Sequence, residues 1–97
     1  MLPVRVSKQT QEKLQTGRGT AGVAVAALTD NPWPANYGVF IRNHDGTNAM
    51  YVGNSGVSAS NGFRLDAGDD IWVPVADPRE IYVIRATADV DYSFLVV

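Results

Sequence analysis

The 97-residue chain has no cysteine, so neither a disulfide framework nor a thiolate metal site is available, and its fold must rest on packing or on partners. Its longest apolar run, residues 22–28, is far short of the roughly 20 residues a membrane-spanning helix needs. Residues 1–10 lack the apolar core of a signal peptide, so neither a membrane anchor nor export by that route is expected. Lysine and glutamate are scarce, which disfavours long surface helices. There is one histidine, His44, and a lone imidazole without cysteine needs carboxylates from elsewhere to complete a zinc site. No Gly-x-Ser-x-Gly elbow presents a nucleophilic serine, and Ser55 and Ser58 lie in turn-rich sequence where serine is common anyway. We therefore expect no catalytic residue, no metal and no cofactor, and a protein that is not an enzyme.

What is present points to strands. Thirteen valines and four isoleucines outnumber five leucines, a β-branched bias that suits a pleated sheet. At 10.5 kDa the chain fits one small domain near the lower limit for burying its own core, so self-association or docking on a larger assembly is expected to add burial. Charge is unevenly spread. Residues 1–18 carry Arg5, Lys8, Lys13 and Arg18 against Glu12 alone, whereas the remainder carries four arginines against nine carboxylates. This divides the chain into a basic, polar arm over residues 1–20 and an acidic β domain over residues 21–97. Arg5, Lys8, Lys13 and Arg18 are the candidate partner-binding residues, and the acidic body disfavours nucleic acid as the partner.

Along the domain, residues 22–28 read as a strand buried on both faces, with Val23 and Val25 in the core. Pro32 and Pro34 then hold Trp33 in an ordered loop. Residues 37–43 alternate Tyr37, Val39 and Ile41 against Phe40 and Arg42, and Asp45-Gly46 predicts a hairpin to residues 49–52. Further short strands are expected over 57–59, 63–65, 71–75, 81–86 and 90–97, separated by Gly-, Asn- and Asp-rich turns. The predicted core is Val23, Val25, Val39, Ile41, Val52, Leu65, Ile71, Val73, Ile81, Val83, Tyr92 and Phe94. Seven or eight strands at this spacing indicate an all-β antiparallel sandwich, jelly-roll-like, or a small barrel.

Candidate chemistry is sparse. Asp66, Asp69 and Asp70 could ligate a hard cation such as calcium, but their spacing lacks the alternation of a dedicated loop and suits a solvated reversal. Gly53-Asn54-Ser55-Gly56 lacks the Lys-Ser/Thr of a phosphate-cradling loop. Trp33 and Trp72 are the candidate interface aromatics: Trp33 is the better placed to stack on a sugar, while Trp72 alternates with core residues and suits packing between sheets or at an interface. The apolar terminus Phe94-Leu95-Val96-Val97 would be a costly exposed patch unless it pairs within the chain's own sheet or is covered by another copy.

Four segments carry a resemblance: Gly-Val-Phe-Ile-Arg-Asn (38–43), Asn-Ala-Met-Tyr-Val-Gly-Asn-Ser-Gly-Val (48–57), Asn-Gly-Phe-Arg-Leu-Asp-Ala-Gly-Asp-Asp (61–70) and Glu-Ile-Tyr-Val-Ile-Arg-Ala (80–86). With glycines recurring between short strands, this layout resembles small virion proteins of tailed bacteriophages, of the capsid decoration or cement type. The resemblance implies a β-sandwich on the outer capsid surface, bound to the major capsid protein, commonly as a homotrimer, and stabilising subunit junctions. Similar modules serve in tails and fibres or bind host glycans, which is the alternative reading.

Overall fold

Apolar and polar residues alternate along most of the strands, and the two faces they create decide the architecture. In a computed structural model, which describes residues 14–97, the strands are β1 (Gln15–Ala21), β2 (Ala26–Ala27), β3 (Val39–Asn43), β4 (Met50–Gly53), β5 (Phe63–Leu65), β6 (Asp70–Val73), β7 (Tyr82–Arg85) and β8 (Val90–Val96). A short 3-10 turn spans Pro78–Glu80, capped by the Asp77 side chain accepting from the Arg79 N–H. The strands form two antiparallel four-stranded sheets, ordered β1-β8-β3-β6 and β2-β7-β4-β5. Every connection except β4–β5 crosses from one sheet to the other, which is the jelly-roll form of the β-sandwich. The fold class read from the sequence is thus the fold observed.

The core lies between the sheets. Val39 and Ile41 of β3 and Val90, Tyr92, Phe94 and Val96 of β8 pack against Met50, Val52, Leu65 and Val83 of the facing sheet, all nearly excluded from solvent. Ile71 and Val73 on β6 are partly buried against this cluster. Trp33 packs on it from the loop before β3, with its ring centroid 6.3 Å from that of Phe94. Asn43 is the one polar residue among the described residues buried in this interior, and it is fully bonded. Its Nδ2 donates to the Asn48 and Leu65 carbonyls, each at 3.0 Å, and its Oδ1 accepts from the Asp45 N–H at 2.7 Å. Because β3 and β5 belong to different sheets, this side chain ties the two layers together.

The structure departs from expectation in several places. Residues 39–43 and 50–53 do not form a hairpin: β3 pairs with β6 and β8, and β4 with β5 and β7. The Asp45-Gly46 segment instead carries the chain across the sandwich, held by Asn43 and by the Asp45 carboxylate accepting from the Thr47 and Asn48 N–H groups. The expected core strand over 22–28 shrinks to two residues, and Val23 and Val25 are 74% and 39% exposed. The chain is changing sheets there, so its alternation has no facing layer to bury it, and only Leu28 is enclosed. Residues 57–59 are a turn rather than a strand, with Val57 buried beneath it.

The boundary of the basic arm also moves. Residues 15–20, placed in the arm by their polarity, belong to β1, which pairs with β8 from Gln15↔Val96 to Ala21↔Val90. Arg5, Lys8 and Lys13 lie outside the described residues. The C-terminal apolar run pairs inside the chain's own sheet, with Phe94 and Val96 buried, so it supplies no argument for a homotrimer.

Candidate functional site

Among the described residues, the two largest of the concave surfaces follow from this topology. The first opens at the side of the sandwich where β5 and β6 end their sheets. Both strands are short, and they do not pair with each other, so the layers part there. The resulting cleft, about 460 Å³, is walled by Val52, Phe63, Ile71, Val73, Val75 and Ile81, with Trp72, Asn54 and Glu80 among its remaining lining.

Phe63 is the residue that marks this cleft as incomplete. Strand register places Phe63 opposite Val52 and Leu65 opposite Met50, so Phe63 shares the core-facing side of β5 with Leu65. Leu65, Val52 and Met50 are nearly inaccessible, yet Phe63 is 58% exposed. A phenyl ring on the inner face of a sandwich and open to water is apolar surface that the described residues do not cover. Glu80, at the end of the 3-10 turn, is the sole ionisable group in the cleft lining.

The second surface is the outer face of the β1-β8-β3-β6 sheet. Register aligns two rows across it: Thr16, Leu95, Phe40 and Trp72, then Arg18, Ser93, Arg42 and Asp70. A groove of about 510 Å³ runs over the first three strands, between Arg18 and Arg42 with Ser93, Leu95 and Phe40 inside it. Ser93 Oγ lies 2.7 Å from His44 Nε2, and Asp70 is 3.8 Å from Arg42 with both side chains about half exposed.

The residues singled out from sequence are dispersed. Arg18 faces outward on β1, Trp72 is 45% exposed at the cleft, and Trp33 is packed against Phe94 away from both. Asp66 pairs with Arg64 and Asp70 with Arg42, and among the described residues no three His, Asp or Glu side chains converge as metal ligands would. Several titratable groups are held away from their ordinary ranges by structure, Asp77 and Tyr92 among them. The Asp77 carboxyl is lowered by the Arg79 side chain and N–H, and burial pushes the Tyr92 hydroxyl up to about 12 while it donates to the Leu28 carbonyl at 2.6 Å. Sequence reading missed Phe63 and Arg42 as site residues. The available signal for Phe63 was its spacing two residues from Leu65, which puts both on one face.

No family model matches the chain, and no curated protein matches it. Among solved structures, it is similar to an ethanolamine utilization protein Q from Salmonella typhimurium LT2, with 16% sequence identity and a TM-score of 0.53. The match covers 92% of this chain and 61% of that protein, so this chain spans less than two thirds of its neighbour's length. At that identity the likeness speaks for the fold. The expected role as a phage capsid decoration or cement protein, together with its tail, fibre and glycan-binding alternative, is corrected here. The neighbour found is an ethanolamine utilization protein and not a virion protein, and jelly rolls serve capsids, lectins and cupins alike.

Proposed function

We propose that this chain is a non-catalytic binding domain that takes a small amphipathic molecule into the cleft between its sheets, with the apolar body against Phe63 and a positively charged or hydrogen-bond-donating end at Glu80. The exposed Phe63 ring on the core-facing side of β5 is the observation that carries this reading. Covering it with a ligand of matching shape would contribute about 1.5–3 kcal/mol of apolar burial.

The same lining argues against catalysis. General acid–base and nucleophilic mechanisms need paired groups within hydrogen-bond reach, and this cleft brings one carboxylate to an apolar wall. Ethanolamine utilization remains a statement about the structural neighbour. A two-carbon amino alcohol offers almost no apolar surface to a cleft of about 460 Å³, so a longer aliphatic or aromatic amine suits these walls better.

Calorimetric titration with n-octylammonium and n-octanol tests the proposal. Both should bind saturably, the ammonium more tightly, and Glu80→Gln should remove that difference. Phe63→Ser should weaken both by about tenfold or more, the equivalent of its lost burial. Absence of saturable binding, or binding that Phe63→Ser leaves unchanged, overturns it.

A further inference from the structure

The geometry points to a second, separate site on the outer face of the β1-β8-β3-β6 sheet, which binds an oxyanion carrying an apolar group between Arg18 and Arg42. Ser93 pairs with Arg18 on one side and with Arg42 on the other, so the two arginines stand two strand spacings apart, about 10 Å, with a hydroxyl between them. All three residues point to the same outer face. An arginine side chain is long enough to lean inward by half that distance, and each guanidinium presents a planar fork of donors matched to carboxylate or phosphate oxygens.

Among the described residues, the surrounding charges engage this cationic pair only in part. The four ion pairs among the described residues do not include Arg18. Arg42 is shared with Asp70 at 3.8 Å, too long for a hydrogen bond. Asp91, the one carboxylate on β8, accepts from Thr20 Oγ1 at 2.9 Å. His44 reaches Ser93 Oγ at 2.7 Å and so fixes the hydroxyl at the centre of the clamp.

The neighbouring row supplies the apolar half. Leu95 and Phe40 are paired one step along from Ser93 and Arg42, with Thr16 beside Leu95, and they line the same groove of about 510 Å³. An anionic head over Ser93 would therefore lay its hydrocarbon along Leu95 and Phe40. The two sites have opposite charge preferences: one carboxylate lines the cleft, whereas two guanidiniums line this groove. The site lies open to solvent, so its binding should be weak and should fall as salt rises.

The test is an amide-detected NMR titration of the full chain with n-octanoate, n-octyl phosphate, inorganic phosphate and n-octanol. Saturable shifts centred on Arg18, Ser93, Arg42 and Leu95 are expected for octanoate and octyl phosphate, with weaker binding of inorganic phosphate and none of octanol at these residues. Whichever of the first two saturates at lower concentration identifies a carboxylate or a phosphate head. Arg18→Gln and Arg42→Gln should each weaken binding about fivefold while leaving the rest of the spectrum intact, because both side chains face away from the core. Three results would overturn the site: no shifts at these residues, binding by the arginine variants as tight as that of the native chain, or binding of inorganic phosphate as tight as that of octyl phosphate.

Discussion

Gly17 lies directly across the sheet from Phe94, and the Phe94 ring fills the space where a Gly17 side chain would stand. Gly19 has the same relation to Tyr92, whose phenol covers it. The inner face of β1 is thus supplied by its neighbour's aromatics, which is how a strand of glycine, threonine and arginine can belong to the sandwich. Gly17→Ala should displace a buried ring and cost about 1–3 kcal/mol, and Gly17→Val should cost more despite its better strand propensity. Urea denaturation checks this. A valine there that stabilises the protein would show that Phe94 does not depend on the missing side chain.

Tyr92 makes stability depend on alkaline pH. Its hydroxyl donates to the Leu28 carbonyl, and burial pushes it up to about 12 from an ordinary value of 10. Because the folded value is raised, the contribution is complete below pH 10 and is lost as pH rises from about 10 to about 12, by about 2–3 kcal/mol in all. Stability measured across that window should fall more steeply in the native chain than in Tyr92→Phe.

Asn43 should be intolerant of substitution for a reason its size does not convey. Asn43→Ala strips partners from the Asn48 and Leu65 carbonyls and from the Asp45 N–H inside the sandwich, and should cost more than about 2 kcal/mol. Asn43→Asp should be at least as damaging, because it sets a carboxylate against two carbonyl oxygens. Thermal unfolding of the two variants gives the comparison.

Asp45 acts at the acid end. Its carboxylate accepts from the Asn48 and Thr47 N–H groups, and these bonds hold its pKa below the ordinary 3.8. A lowered value means that the stabilisation is complete above the unfolded pKa and disappears as pH falls through the folded one. Asp45→Ala should therefore be less stable at neutral pH and should lose less stability on acidification below about pH 4. Parallel acid titrations of unfolding free energy test the sign.

Where a strand carries its own alternation, the sequence reading and the structure coincide. Val39 and Ile41 against Phe40 and Arg42, and Val90, Tyr92, Phe94 and Val96 against Asp91 and Ser93, fall on the faces their period assigns. The reading fails where burial is decided by a distant element. β1 looks like a solvated arm because its apolar contribution sits on β8, whereas residues 22–28 look like core but have no layer over most of their length. The hairpin expected at Asp45-Gly46 fails because Asn43 and Asp45 bond into a crossing turn, a choice made by buried partners as remote as Leu65. Of the candidate sites, Trp72 reads as packing between sheets or at an interface, and it is 45% exposed at the cleft. Phe63 was not legible as a site residue, since its exposure arises from β5 and β6 ending their sheets without pairing.

The proposed role requires that the open side of the sandwich receive a ligand. Intermolecular nuclear Overhauser effects between n-octylammonium and the full chain measure this directly. Contacts from the alkyl protons to the Phe63 ring and to the Ile71 and Val73 methyl groups, lost in Phe63→Ser, are the predicted result. Contacts confined to other surfaces, or a Phe63 ring buried against a second copy of the chain and closed to the ligand, would contradict it.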